Sequence, residues 1–404
     1  MSHWDAVVVG GGPAGSATAL LLARAGARVL LTERARFPRD KACAEYLSPA
    51  TTAILERLGR DVVAAIDQAT PPPSRLSGMK LIGPHGTSAI GRFRRWSYAL
   101  PRTTFDTILR DAAARAGAVI KEGAAVEDLI YDGGAVGGVV ARETGNGKRE
   151  TIHARVVIGA DGLRSVVARR LGLRRSSAPH RIAFSVHLEG VAGMSDLGEM
   201  HIGRPGYIGL GPIGGDLATL ALVLPVAVAR RRARVLAAHL LPEMERFPGL
   251  AGRFANARIV RPVLTTGPFA QWSRRAVAPG GGALLVGDAA DFFDPFTGQG
   301  IYAALRGAEL AAESVLRALP SGGSRPLGAS ALAGYRAARR RAFAGKWLLE
   351  RLIGLGVGWP WLAQRVVSRL ARRPALADLL VGATGNIVPA RAVLAPTSLL
   401  QLVW

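Results

Sequence analysis

The stretch DAVVVGGGPAGSATALLLARAGARVLLTER (residues 5–34) decides the fold. DAVVVG (5–10) is a short apolar run that predicts a buried strand. GGPAGSATALLLARAG (11–26) predicts a helix that starts on glycines and ends on one, and RVLLTER (28–34) predicts a second strand. Together they form a βαβ unit. The turn GGGPAG (10–15) holds Gly10, Gly12 and Gly15, with Pro13 and Ala14 on the first helical turn. Gly10 permits the tight turn, Gly12 lets backbone approach a pyrophosphate, and Gly15 lets the helix pack on the strand. The helix N-terminus adds free N–H groups. Glu33 ends the second strand, where a carboxylate can hold a ribose diol, and Arg34 follows it.

Outward from this unit, TTFDTILRDAAARAG (103–117) predicts an amphipathic helix, and ARVVIGADG (154–162) a strand ending in a turn. Residues 181–265 alternate in short strands (RIAFSVHLEG, LGEMHIG, YIGLGP, LATLALVLP), which predicts an inserted antiparallel sheet. LLVGDAADFFDPFTGQGIYAAL (284–305) places Asp288 after a buried strand and opens a helix near Gly300. Such a helix N-terminus stabilises negative charge. From residue 330 onward the chain is helical and rich in arginine and tryptophan.

The glycine turn with Glu33, RTTFDTIL with Arg102, GADG and GDAADFFDPFTGQG occur in that order. This resembles the FAD-dependent superfamily of para-hydroxybenzoate hydroxylase, geranylgeranyl reductases and flavin-dependent halogenases, over roughly residues 5–330. PRDKACAEYLSP resembles the geranylgeranyl reductase segment with a Lys-x-Cys-Gly core. The resemblance implies an α/β fold: a Rossmann-like FAD-binding domain, an inserted antiparallel β-sheet substrate domain and a C-terminal helical region. The expected FAD domain is 1–75, 100–180 and 270–330, the substrate domain 76–99 and 181–269, and the helical cap 331–404. By position, Gly10, Gly12, Pro13, Ala14, Gly15, Glu33 and Arg34 would bind the ADP half of FAD. Arg102, Asp161 and Gly162 would lie near the pyrophosphate, and the Val126 backbone near the adenine. Asp288 would bind the ribityl chain, with Pro295, Gly298, Gln299 and Gly300 at the pyrimidine edge. NAD(P)H is the expected co-substrate, bound transiently, since no second dinucleotide fingerprint is present.

The sequence departs from these relatives in two places. Ala44 replaces the glycine after the cysteine. Geranylgeranyl reductases carry Tyr-x-Trp-x-Phe-Pro in the substrate sheet, and halogenases Trp-x-Trp-x-Ile-Pro. Here the stretch is YIGLGP (207–212), with Gly209 and Gly211 at both large positions. The lost rings either widen the cavity or bring backbone close to the flavin. Lys80 is the nearest candidate for a halogenating lysine and reads better as a surface lysine. The reading placed first is an NAD(P)H-using monooxygenase of a hydrophobic aromatic or polyketide-like molecule, as in secondary metabolism. The alternative is a reductase saturating C=C bonds of an isoprenoid or lipid, and behind it a halogenase or a non-catalytic flavoprotein. Candidate catalytic groups are Cys43, Tyr207, His201 and His187, with Glu45 and Tyr46 as further acid–base candidates. Tyr46, Gly209 and Gly211 are expected to face substrate.

Cys43 is the only cysteine in 404 residues, so no internal disulfide forms, and no metal-ligand spacing is present. The segment after Glu33 is expected to reach over the flavin, where the Cys43 thiol either donates a proton or fills space. The N-terminus has no signal-peptide pattern and no apolar run is long enough to span a bilayer, so the expected location is cytoplasmic. The net charge is +23, and only five of the 52 basic residues are lysine. Scattered surface arginines, attraction to an anionic membrane or acidic partner, and nucleic-acid binding compete. No basic–aromatic module supports the last, so no nucleic acid is expected. RRRAR (230–234) and AARRRAF (337–343) read as solvated helix faces. The Trp-rich stretch 347–380 reads as a cavity cap, as a helix pair packed on the FAD domain, or as a face on a membrane.

Overall fold

The structure is a computed structural model and describes residues 3–273, 275–319 and 323–403. The chain begins with β1 (Trp4–Val9), α1 (Pro13–Arg24) and β2 (Val29–Glu33), then α2 (Pro49–Leu58) and α3 (Arg60–Asp67). The hairpin β3 (Ser74–Ile82) and β4 (Ser88–Ala99) precedes α4 (Arg102–Arg115). Next come β5 (Val119–Glu122), β6 (Ala124–Asp132), β7 (Ala135–Glu143), β8 (Arg149–Gly159), α5 (Val166–Arg170) and β9 (Arg174–Ser176). The inserted strands are β10 (Arg181–Glu189), β11 (Leu197–Ile202), β12 (Tyr207–Gly214) and β13 (Leu217–Pro225). They lead to α6 (Val226–Ala238), α7 (Leu240–Met244), β14 (Arg258–Thr266) and β15 (Gln271–Ser273). The chain returns through β16 (Ala283–Leu285) and β17 (Asp291–Phe292) to α8 (Gly300–Ala318). It ends in α9 (Ala333–Gly356), α10 (Pro360–Arg372), α11 (Pro374–Thr384), α12 (Ala390–Leu394) and α13 (Pro396–Val403).

The first sheet runs β5-β2-β1-β8-β7-β6, with β16 on the other side of β8. β1, β2, β5, β8 and β16 are parallel, so the C-terminal ends of β1, β2 and β8 meet at Val9, Thr32 and Gly159. That crevice is where doubly wound sheets place ligands. Gly10 turns there at φ +102, and a Cβ on Gly15 would lie 1.8 Å from the Gly10 carbonyl oxygen. Both glycines are therefore required for α1 to sit against β1.

The second sheet runs β14-β10-β13-β12-β11-β3-β4, so residues 74–99 join 181–266 in one layer. It is antiparallel except where β11 meets β3 in parallel, a join the local alternation could not reveal. Strand parity divides it. Phe184, Val186, Leu188, Ile208, Leu210, Leu220 and Leu222 pack under α6 and α7. The opposite face aligns Ala183, Val223 and Tyr207; Ser185, Ala221 and Gly209; and His187, Thr219 and Gly211. Most side chains on this face are small, which leaves room between the two sheets. Helices α9–α13 close the remaining side. Leu349, Val367, Leu376, Ala377 and Val393 share a core with Met200, Tyr207 and Val223. Arg339, within the AARRRAF stretch, is buried, pairs with Asp291 at 2.5 Å, and lies over the rings of Tyr335, Phe343 and Trp347. That helix face is therefore packed at Arg339 rather than solvated.

Candidate active site

An elongated cavity runs from the glycine turn to α8. Its lining includes Gly12, Pro13, Ala14, Arg102 and Gly162, together with Asp288, Pro295, Gly298 and Gly300. The second sheet contributes Ala183, Ser185, Ala221 and Val223. Cys43, Ala44, Glu45 and Tyr46 lie along its length.

At the glycine end, the Gly11 N–H donates to Glu33 Oε2 at 2.8 Å and the Ala35 N–H to Oε1 at 3.1 Å, which fixes the carboxylate at the strand end. Arg102 forks onto Asp106 through Nε and Nη2, both at 2.7 Å. Burial opposes the guanidinium charge, but Asp106 and nearby Cys43 more than offset it, so Arg102 is held firmly protonated. Arg39 bridges Asp106 at 3.0 Å and Glu33 at 3.7 Å. Arg39 and Asp106 carried no sequence motif of their own, although Asp106 stands at i+4 from Arg102, the spacing of a helical ion pair.

Asp161 holds the loop that follows β8, beside the glycine turn at Gly10. It accepts from Ser165 Oγ and the Val166 N–H, both at 2.6 Å, and so holds the loop at the start of α5. Burial raises its pKa, partly offset by those donors. Its neighbours Ala160 and Gly162 line the cavity, as does Leu163. Arg34 is exposed beyond Glu33, and the Val126 side chain sits in the core with Val9 and Leu30.

The Cys43 segment clamps onto the second sheet. Ser185 Oγ donates to the Cys43 carbonyl at 3.1 Å, and Arg261 Nη2 donates to Ser185 at 2.6 Å. Glu45 is fully buried in a left-handed conformation (φ +57). Its carboxylate meets the Arg102 N–H at 3.1 Å, Arg261 at 3.3 Å and His187 Nε2 in a close contact. These bonds offset the strain of left-handed backbone at a non-glycine residue. The Cys43 Sγ accepts from the Glu45 N–H at 3.3 Å.

A second cavity of about 250 Å³ lies beyond Ala44, Tyr46, Pro295 and Gly298, which line both cavities. Its walls include Met79, Met200, Gly209, Gly211, Leu349, Val367 and Leu402. Among the described residues, its polar side chains are Tyr46, Glu199, Thr219, Thr297 and Thr384. Glu199 is held by His201 and Arg253, Thr297 by Glu350, Thr384 by the Val381 carbonyl and Thr219 by that of Cys43. Tyr46 remains. Burial raises its pKa well above the usual phenol value, which nearby Ser97 partly offsets, so the phenol stays protonated. A Cβ at Gly209 would meet only Met200 Sδ at 3.5 Å, and one at Gly211 only the Gly198 Cα at 3.8 Å. Neither position needs glycine for its backbone, so the two glycines widen the cavity.

Two expected catalytic groups point elsewhere. Tyr207 donates to Asp294 at 2.6 Å, stacks edge-on against Phe296, and lines neither cavity. Long-range Asp294 captures it, and Arg181 pairs with the same carboxylate. His201 is buried, with Nδ1 2.7 Å from the Pro248 carbonyl and Nε2 2.8 Å from Glu199. His187 and Lys80 also line neither cavity, although His187 reaches the first through Glu45.

The FAD binding domain family matches residues 3–343. The chain belongs to that family. It is 33% identical over 335 residues to a menaquinone reductase of Mycolicibacterium smegmatis, covering 76% of this chain and 75% of the relative. A digeranylgeranylglycerophospholipid reductase of Methanothrix thermoacetophila is 32% identical over 331 residues, 79% of each chain. A solved geranylgeranyl bacteriochlorophyll reductase-like protein of Thermoplasma acidophilum superposes with TM-score 0.77 at 23% identity, over 97% of this chain and 99% of that one. A flavin-dependent brominase gives 0.78 at 22%, over 95% and 94%. At such identities the two solved structures speak for the fold alone. This flavoprotein is an FAD-dependent oxidoreductase of the superfamily that includes the geranylgeranyl reductases.

The residues present fit FAD. Gly12 stands at the head of α1 with open space in front of it, its nearest neighbours being Arg39 and Arg102 at 3.5 and 4.0 Å from a built Cβ. Asp288 borders the cavity and pairs with Lys41 at 3.8 Å. Gln299 Oε1 is buried without a partner at the N-cap of α8.

Proposed function

We propose that this flavoprotein is a reductase that saturates C=C bonds of an isoprenoid or other lipid. The observation that carries this reading is the second cavity: hydrocarbon-lined, joined to the FAD cavity, and with the phenol of Tyr46, beside Ser97, at the junction. Such a wall suits a polyprenyl chain. Hydroxylation of a phenol would want a base to take the phenolic proton. Glu199, the carboxylate in the wall, is already committed to Arg253 and His201. The relatives named as reductases point the same way. The order of the two readings from sequence is therefore reversed.

Gly12, the α1 N-terminus, Arg39 and Arg102 would hold the pyrophosphate, Glu33 the adenosine ribose, and Asp288 the ribityl chain. FAD when bound supplies hydride, renewed by a dihydronicotinamide. Tyr46 gives its phenolic proton to the alkene carbon opposite the one that takes hydride, so two hydrogens are added and solvent reprotonates the phenolate. The apolar walls exclude water and align the chain. Cys43, its Sγ held by the Glu45 N–H, keeps the segment in place.

The test is product mass under nitrogen, with a polyprenyl lipid and a dihydronicotinamide. A gain of two hydrogens per double bond supports the reading. A product that forms only in air and carries an added oxygen overturns it.

A further inference from the structure

The second cavity opens through a face that is unusual for a water-soluble surface. Leu348, Leu352 and Leu355 stand at i, i+4 and i+7 on α9, all exposed. Trp359 and Trp361, in the turn into α10, are 54% and 66% exposed. Leu399 and Leu400 on α13 are exposed as well. Leu352 and Leu399 belong both to this surface and to the cavity wall, so the apolar surface runs continuously into the cavity. Exposed apolar residues that cluster in this way mark a docking surface.

The surrounding charge says what docks. Residues 331–403 hold Arg336, Arg339, Arg340, Arg341, Lys346, Arg351, Arg365, Arg369, Arg372, Arg373 and Arg391, against Glu350 and Asp378 alone. Glu350 is buried and taken by Lys346, and Arg339 is buried against Asp291, while Asp378 is exposed and accepts from the Arg92 N–H. Among the described residues of this helical region, nine arginines therefore remain against one exposed carboxylate, Asp378. Tryptophans at the apolar–polar boundary with arginines around them match the headgroup region of a bilayer. No described helix is long and apolar enough to cross a membrane, so the contact is peripheral.

We propose that the face formed by the end of α9, the turn at Trp359–Trp361 and α13 docks on an anionic lipid bilayer, and that the apolar substrate enters the second cavity directly from it. The proposal rests on the reductase reading only for the identity of that substrate. A hydrocarbon chain moving along this path leaves the bilayer without crossing water.

The test uses the full FAD-loaded protein and co-sedimentation with phosphatidylglycerol–phosphatidylcholine vesicles, against pure phosphatidylcholine. The wild type should sediment with the anionic vesicles, less with neutral ones, and less again in high salt. Trp359→Ser/Trp361→Ser should weaken partitioning by about tenfold or more, with flavin content and melting unchanged. Turnover of a vesicle-embedded polyprenyl lipid should fall in parallel, while turnover of a short, water-dispersed alkene should not. No sedimentation by the wild type, or equal binding by the variant, overturns the proposal. So does a wild-type dimer in solution that the variant loses, since a second copy would then cover the face. If binding follows these expectations but no alkene is reduced, the docking face stands and the reductase reading falls.

Discussion

The ring of Tyr46 lies directly against Gly298, so close that a Cβ at residue 298 would come within 2.6 Å of Tyr46 Cδ1. Gly298 also has φ +65, which disfavours any side chain. The two residues mark the junction of the cavities. Tyr46→Phe should keep FAD and substrate binding but lower kcat by about 10²-fold, the loss of a positioned proton donor. Gly298→Ala should displace the ring and cost about 1–3 kcal/mol. Thermal melts and flavin content separate the two variants. An unchanged kcat in Tyr46→Phe would remove Tyr46 from the chemistry.

Gly209 and Gly211 set cavity width. Gly209→Trp fits the backbone, since a Cβ there meets only the flexible Met200, but fills the space beyond. The variant should bind FAD normally and raise KM for long isoprenoids by about tenfold, with little effect on short alkenes. Equal selectivity in wild type and variant would mean that substrate lies elsewhere.

The buried Arg102–Asp106 fork should matter to the cofactor. Asp106→Asn leaves Arg102 without its carboxylate and should cost about 3–5 kcal/mol and much of the FAD affinity. Arg102→Met/Asp106→Leu should recover stability while FAD affinity stays low. Full flavin content in the double variant would place the pyrophosphate away from Arg102.

Acid should loosen the second sheet. Burial works against the Glu199 charge, but the bonds from His201 and Arg253 win, so its folded pKa lies below the ordinary 4.5. A carboxyl lowered in the folded state adds stability above its unfolded pKa and loses it as pH falls toward the folded value. Denaturant titrations at pH 7 and below pH 4 should show a smaller acid loss in Glu199→Gln than in the wild type. Identical losses would contradict the pairing.

The α/β architecture was legible because its signals are local. The turn at Gly10–Gly15, Glu33 at the end of β2, and the alternation of β10, β12 and β13 each follow from residues a few places apart. Parity also places Gly209 and Gly211 on one face. The same parity puts Tyr207 on that face, as found, but Asp294 arrives from 87 positions away to take its hydroxyl, so the phenol lines neither cavity. His201 was lost to the distant Pro248 carbonyl and to Glu199, two places away on its own strand. Asp161 holds its loop through local donors, Ser165 and the Val166 N–H, a role that its place in the GADG turn made readable. How α9–α13 pair could not be read, since each carries its own apolar stripe and several packings bury them equally well.

The central claim is that the reduced protein delivers its electrons to an alkene and not to oxygen. Anaerobic stopped-flow mixing of the reduced, FAD-loaded protein with a polyprenyl lipid tests this most directly. Oxidised flavin absorbance should return with lipid alone, at a rate that falls in Tyr46→Phe. Reoxidation that ignores the lipid and proceeds only when oxygen is admitted would contradict it.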